Sequence, residues 1–295
     1  MMTFLVGYSP HKDDLCALDL ACQLARSDRG SVHAVSVVPQ GWPTPVAGDT
    51  DREVEQWAAA KGAESAAEAA EHLATHGDVP SEATWVAGRS VPQALLDRAK
   101  ALGADLVVVG SGEEVAHGQV GITSKTDRLL HSSEVPIAIA PRGYHAEPGS
   151  TVSRITLAFR GDDATWSLLG QVAQIARRIG TSLRVVTFAI RSRTMYPRRV
   201  SGAEDMVLAA WIEKARADQV EVAAHLRGLG FTDETLSLEV AVGRSWGVAM
   251  DSLDWTRGDV LVVGSSSTHL LSRVFLGSSA AKIVRHSPVP VVVVP

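Results

Sequence analysis

Two glycine–serine clusters near the end of the chain have the composition of a phosphate cradle. Gly264-Ser265-Ser266-Ser267 is followed, after nine residues, by Gly277-Ser278-Ser279. Gly264 closes an apolar run and permits a tight turn. Gly277 allows a close backbone approach. Ser278 and Ser279 place hydroxyls beside the unpaired N–H groups of a helix start, where anions bind. Three other patterns have chemical potential. Gly243-Arg-Ser-Trp-Gly247 matches the G-x-S-x-G nucleophile elbow of hydrolases. No Asp or Glu and His is placed beside Ser245 by the sequence, so a structural turn with Ser245 capping a helix is the favoured reading. His72 and His76 stand four apart, a spacing that can hold a metal on a helix. No third ligand is evident, so a solvated helix end is favoured. Arg191, Arg193, Arg198 and Arg199 crowd one segment, read as a solvated loop in preference to an anion-binding or partner-docking arm.

These residues need elements to position them. Apolar runs at 4–8, 31–38, 83–88, 106–110 and 135–140 read as strands. Between them, 12–28, 51–76, 92–102 and about 123–131 read as helices. The order returns in strands at 155–159, 182–188, 237–243, 260–264 and 289–294, with helices at roughly 164–179, 203–228, 246–255 and 278–286. Alternating strands and helices imply βαβ units and a parallel sheet. Ligands of such sheets bind beyond the carboxyl ends of the strands, where the strand order switches. The glycine–serine clusters follow the fourth strand of the second set, which is that location.

The second set is a degenerate copy of the first. Asp105-Leu-Val-Val-Val-Gly-Ser111 returns as Asp259-Val-Leu-Val-Val-Gly-Ser265, 154 residues on. Val135–Pro141 returns as Val289–Pro295, and Trp57 as Trp211, at the same offset. A period of domain length means duplication of a domain. The expected fold class is α/β, with two tandem five-stranded, Rossmann-like α/β sandwiches of the adenine nucleotide alpha hydrolase-like type. The expected boundaries are 1–141 for the first domain, 142–153 for a linker and 154–295 for the second. The composition, 45% hydrophobic and 21% charged, is that of a soluble globular protein. A net charge of −5 offers no field to recruit nucleic acid or an anionic membrane. No basic leader precedes the first apolar run, and no run reaches a membrane-spanning length. Cys16 and Cys22 read as reduced core residues, too far apart on one helix for a disulfide. Together these features point to the cytoplasm. There is no G-x-x-x-x-G-K-[S/T] P-loop and no nucleic-acid-reading motif.

The ordered motifs resemble the universal stress proteins in their tandem two-domain form. The resemblance rests on the strand-four DxVVVGS, the phosphate loop Gly264…Gly277-Ser278, and the closing Val-Pro-Val-Val-Val-Val strand after a basic helix end (Lys282, Arg285, His286). The starts Val6–Pro10 and Ala158–Gly161 also suit it. The resemblance implies a nucleotide-responsive regulatory module rather than an enzyme, with weak ATPase activity left open. It implies a site in the second half comprising Phe159, Val242, Gly264, Ser265, Ser267, Gly277, Ser278 and Ser279. ATP is the implied ligand, and Mg²⁺ is implied only with ATP. Phe159 reads either as a base-stacking platform or as core, and His269 and Arg273 either as added positive charge or as exposed loop.

Departures from the family pattern weaken the site. Its strand-one Asp is Tyr8 in one half and Phe159 in the other. Its second loop glycine is Glu113 in the first half and Ser267 in the second. Its third is Thr123 in the first half, where Gly277 keeps it in the second. A carboxylate at 113 repels phosphate, and Thr123 is expected to resist a glycine-only backbone geometry. The alternative reading is therefore a degenerate, nucleotide-free module for unidentified protein partners. In the family the fifth strands pair antiparallel between domains, so 135–141 and 289–295 are expected to join the halves as an internal pseudo-two-fold dimer. Pro136, Pro141, Pro290 and Pro295 limit those strands. A homodimer of whole chains is compatible with the sequence and is not specified by it.

Overall fold

The computed structural model describes residues 1–10, 15–40, 49–191, 203–265 and 276–295. The first half runs β1 (Thr3–Tyr8), α1 (Cys16–Asp28), β2 (Ser31–Pro39), α2 (Asp49–Ala74), β3 (Ser81–Gly88), α3 (Val91–Leu102), β4 (Leu106–Gly110), α4 (Ser124–Ser132) and β5 (Ile137–Ala140). The second runs β6 (Arg154–Ala158), α5 (Asp163–Ile179), β7 (Ser182–Ile190), α6 (Ala203–Gly228), β8 (Leu236–Gly243), α7 (Trp246–Asp251), β9 (Asp259–Gly264), α8 (Ser278–His286) and β10 (Val291–Val294). All form one ten-stranded sheet in the order β3-β2-β1-β4-β5-β10-β9-β6-β7-β8. Every neighbouring pair is parallel except β5–β10.

The antiparallel pair joins the halves as the apolar fifth strands predict. Ile139 faces Val291, Ala138 faces Val292 and Ile137 faces Val293. Alternation then divides these residues between two cores. Ala138 and Val292 join the core that includes α1 and α5 residues. Ile137, Ile139, Val291 and Val293 join the core beneath α3, α4, α7 and α8. Both strands begin later than the apolar runs suggest, because Pro136 and Pro290 have no N–H to give a ladder. Each still offers its carbonyl, to Val107 N–H at 3.0 Å and to Leu261 N–H at 2.9 Å.

The segment 142–153 is bound along α1 rather than free of it. Tyr144 Oη donates to Gln23 Oε1, Gln23 Nε2 donates to the Thr151 carbonyl, and Arg26 Nη1 donates to the Ser150 carbonyl. Val152 N–H donates to Ser27 Oγ at 2.8 Å. Cys16 and Cys22 are buried thiols that form no disulfide. Burial, with the Asp19 charge adding to it, pushes the Cys22 thiol up to about 12, so it is protonated and unreactive at neutral pH. No helix among the described residues is long and apolar enough to cross a membrane.

The amino edge of the second half carries a buried charge network. Arg184 on β7 is fully buried. Its Nη1 donates to the Asp254 carbonyl at 2.6 Å and its Nε to Thr156 Oγ1 at 3.1 Å. Its guanidinium lies 4.4 Å from the Trp255 ring centroid. Desolvation holds its pKa below the usual arginine range. Asp259, the acidic residue of the repeated motif, sits 3.8 Å from Arg184 Nη2 and accepts from Arg154 at 2.6 and 3.1 Å. It also accepts from Thr256 N–H and Oγ1, both at 3.0 Å. Removing one partner of a buried pair leaves an uncompensated charge. Asp259→Ala is therefore expected to cost about 3–5 kcal/mol of stability, read from urea unfolding followed by circular dichroism. A loss within experimental error of zero would show that water reaches Arg184.

Candidate functional site

The strand order reverses at β1/β4 and again at β6/β9, so each half has a cleft at the carboxyl ends of its strands. In the second half the cleft has two adjoining chambers. One, of about 430 Å³, is lined mainly by Phe188, Ile190, Val207, Leu208, Trp211 and Trp246. Phe188 and Trp246 pack at 5.9 Å between ring centroids with a 42° tilt. The other, of about 530 Å³, is lined by Arg160, Ser167, Gln171, Gly264, Ser265, Gly277, Ser278 and Ser279, among others. Ala158, Arg160, Ser279 and Ile283 border both. An aromatic slot thus opens onto a polar chamber at the start of α8.

The start of α8 lines the polar chamber. Gly277 is its N-cap residue and carries no side chain to cap the helix. The first N–H groups of a helix have no intrahelical partner, and the dipole makes that end positive. Around it, β9 brings Gly264 and Ser265, whose N–H is held by the Val294 carbonyl at 2.8 Å. A Cβ on Gly264 would lie 3.2 Å from Leu168 Cδ2, so the glycine serves close packing against α5. Arg160 follows β6 and pairs with Asp162. Asp162 caps α5 through Thr165 N–H at 3.0 Å. Burial raises the Asp162 pKa, but the bonds from Thr165 and Arg160 outweigh it and hold the group below the usual carboxylate range. Arg160 therefore presents a partly compensated charge.

The first half has the same elements and a different surface. Thr123 caps α4, its Oγ1 accepting from Thr126 N–H at 3.1 Å. Ser111 Oγ donates to the Ala140 carbonyl at 2.6 Å and accepts from Gly121 N–H at 2.9 Å. Arg142 Nη1 donates to the carbonyls of Glu113 and Val115 at 2.9 and 2.8 Å, tying the loop down. A Cβ on Gly112 would lie 2.7 Å from Thr123 Cγ2, so that side chain occupies the interior of the loop. The expected reason for closure needs correction. Thr123 has φ −76° and ψ 166°, and Gly277 has φ −57° and ψ 155°. Neither is a glycine-only geometry. Threonine differs by supplying its own hydroxyl where a ligand would go. The cavity at this edge, of about 520 Å³, includes Tyr8, Trp57, Lys61, Glu64, Glu68 and Arg89. Its carboxylates suit a base–phosphate ligand poorly, and Tyr8 Oη donates to Glu68 at 3.3 Å.

The universal stress protein family model matches residues 1–141 and 151–295. The chain belongs to the universal stress protein family. A universal stress protein of Mycobacterium tuberculosis (strain ATCC 25618 / H37Rv) is 39% identical over 296 aligned positions, covering all of both chains. Among solved structures, a universal stress protein of Archaeoglobus fulgidus DSM 4304 matches with TM-score 0.63 at 14% identity, covering 99% of this chain and 97% of that one. A putative universal stress protein of Pseudomonas aeruginosa UCBPP-PA14 matches with TM-score 0.59 at 18% identity, covering 100% and 93%. At such identities these likenesses support the fold alone.

The structure of this universal stress protein gathers most of the expected site and rejects part of it. Gly264, Ser265, Gly277, Ser278 and Ser279 line the polar chamber. Ser267, His269 and Arg273 lie outside the described residues, as do Arg193, Arg198 and Arg199. Phe159 is no stacking platform. β6 ends at Ala158, and Phe159, though bordering the cavity, is 3% exposed with its ring edge-on to Trp166 at 5.3 Å. Val242 does not line either chamber; it is exposed on β8. The sequence reading missed the aromatic wall of Phe188, Trp211 and Trp246. Trp211 carried a signal, since it was visible as half of a repeated tryptophan pair.

Two further expectations meet different outcomes. Ser245 caps α7, accepting from Val248 N–H at 3.3 Å, as the structural reading predicts. A Cβ on Gly243 would lie 2.5 Å from Ala249 N, which explains the glycine before it. The expectation of a solvated end for His72 and His76 is wrong. Both rings point inward to Asp19, and His76 is 3% exposed. The third polar group lies 53 residues from His72 in sequence, on another helix. Ser245→Ala is expected to lower stability by about 1 kcal/mol, the value of a helix cap, read from a denaturant midpoint. A larger loss would mean that Ser245 has a partner beyond the cap.

Proposed function

We infer that this universal stress protein is a nucleotide-responsive regulatory module that binds ATP through its second half only. The observation that carries this reading is the glycine-capped start of α8, with Gly277, Ser278 and Ser279, beside the slot formed by Phe188, Trp211 and Trp246. A planar base suits the aromatic slot, and a polyphosphate suits the open helix end. Mg²⁺ enters with the phosphates. The cavities have the size of small-molecule sites. Catalysis is not part of the proposal; the serine of the nucleophile-elbow pattern, Ser245, serves as a helix cap. Residues 1–141 and 154–295 act as two domains, with 142–153 as the connection, and the reduced thiols suit the cytoplasm.

Calorimetry of nucleotide-stripped protein with ATP and Mg²⁺ is expected to give one site per chain. ATP at a hundredfold excess over Kd is expected to stabilise the protein by about 2.7 kcal/mol, raising Tm. Gly277→Asp places a carboxylate at the anion position and is expected to reduce affinity by about a hundredfold or more, the cost of ~2.7 kcal/mol of repulsion and lost N–H contacts. Trp246→Ala is expected to weaken binding by about tenfold through lost stacking, ~1.4 kcal/mol. Absence of both heat and thermal shift would favour the second reading, a nucleotide-free interaction module. The first-half loop, capped by Thr123 and tied down by Arg142, supports that reading for the first half.

A further inference from the structure

We propose that Asp19, His72 and His76 form a binding site for a divalent cation of the Zn²⁺ class, with His145 orienting the Asp19 carboxylate through its other oxygen. One ligand atom from each of Asp19, His72 and His76 lies within 4.8 Å of the others. His72 Nε2 is 2.6 Å and His76 Nε2 3.1 Å from Asp19 Oδ1. His145 Nδ1 is 2.6 Å from Asp19 Oδ2. Bonds of about 2.0–2.2 Å in a tetrahedral site put ligand atoms about 3.4 Å apart. Occupation therefore needs only that the two Nε2–Oδ1 contacts open by less than about 1 Å. His72, in the last turn of α2, and His76, in the turn that follows it, both direct Nε2 at Asp19 Oδ1. Imidazoles with one carboxylate select Zn²⁺-like ions over Mg²⁺ and Ca²⁺, which prefer all-oxygen shells.

Charge and burial support the site independently of that spacing. Asp19 is 2% exposed, and its carboxylate is bonded by three histidines and accepts from the Ala146 N–H at 3.3 Å. No lysine or arginine bonds it among the described residues. A buried carboxylate needs a compensating positive charge, and a bound dication supplies one. The nearest cationic side chain in the cluster, Arg26, is engaged elsewhere. It pairs with Asp78 and donates to the Ser150 carbonyl at 2.8 Å. Its contact to His76 Nδ1 is the longest it makes, at 3.5 Å, and yields when metal binding places the imidazole proton on Nδ1.

The duplicate half shows that the fold does not require this cluster. At an offset of 154, His72 and His76 correspond to Leu226 and Gly230. At the offset of 151 that relates Tyr8 to Phe159, Asp19 corresponds to Gly170. Leu226 is fully buried, so ordinary apolar packing fills that position in the second half. The first half instead buries charge and imidazole, which is costly unless the groups have a use. The use that fits is to fasten His145, and with it the segment joining the halves, to α1 and α2. This site lies outside the proposed nucleotide cleft and does not depend on it.

The test is calorimetry of full-length, EDTA-treated protein with Zn²⁺ alone, near neutral pH and without nucleotide, together with the visible spectrum after Co²⁺ substitution. One Zn²⁺ per chain is expected, with the absorption of tetrahedral Co²⁺. Asp19→Asn and His72→Gln are expected to weaken Zn²⁺ by more than a hundredfold, and His145→Ala by about ten- to a hundredfold. His131→Ala, on the surface of α4, is expected to leave binding unchanged. Absence of stoichiometric binding, or full affinity in folded His72→Gln, would overturn the site and leave a carboxylate held by imidazole hydrogen bonds. If the buried variants fail to fold, His145→Ala decides, because its side chain is 70% exposed. An unchanged affinity and Co²⁺ spectrum in that variant would equally overturn the proposal.

Discussion

The pairing of β5 with β10 is the constraint on which the molecule is built. Each half alone would end in a strand of four apolar residues with one open edge. Such an edge is a template for aggregation. Setting the two edges against each other satisfies both ladders with the chain's own material. The antiparallel sense gives the sheet its palindromic order and gives each core a continuous apolar layer across the junction. The price is that the halves cannot separate without exposing a strand edge. The two halves therefore share one continuous ten-stranded sheet.

Within that symmetric frame, the two halves differ where ligands would meet them. The same helix start has a glycine N-cap at Gly277 and a hydroxyl cap at Thr123. The two N-caps share an extended backbone and differ in the side chain they carry. Arg142 then fixes the first-half loop by bridging two of its carbonyls. Duplication makes this division affordable: one copy keeps the cleft, while the other is free to acquire a different polar cluster on its opposite helices.

The fold was legible because it depends on patterns the sequence displays directly. Valine runs, glycine–serine turns and a fixed repeat specify the strands, their order of appearance and the pairing of the fifth strands. Boundaries moved where proline removed a donor, at 136 and 290, and where β6 stopped one residue short of Phe159. The polar half of the site was legible for the same reason: its glycines and serines are contiguous in sequence. Its aromatic wall was not, since Phe188, Trp211 and Trp246 come from β7, α6 and α7 and meet only through packing. Asp19 was hidden more completely. Nothing in the sequence says that the first turn of α1 lies against the last turn of α2. Phe159 and Val242 failed for different reasons: β6 ends before Phe159, whose ring packs edge-on to Trp166, whereas Val242 lies within β8 with an exposed side chain outside both chambers.

The repeated motif itself separates stability from binding along one strand. β9 begins at Asp259 and ends at Gly264, a span of about 17–20 Å at the usual rise per residue. At its amino end Asp259 neutralises Arg154 and the buried Arg184. At its carboxyl end Gly264 and Ser265 open into the polar chamber. Asp105 holds the corresponding position in the first half, accepting from Thr3 N–H at 2.8 Å. The acidic residue thus persists in both copies with a structural task, whether or not the cleft beyond it is open. A match to the motif's acidic start reports on the fold, and only its glycine–serine end bears on whether a ligand can bind.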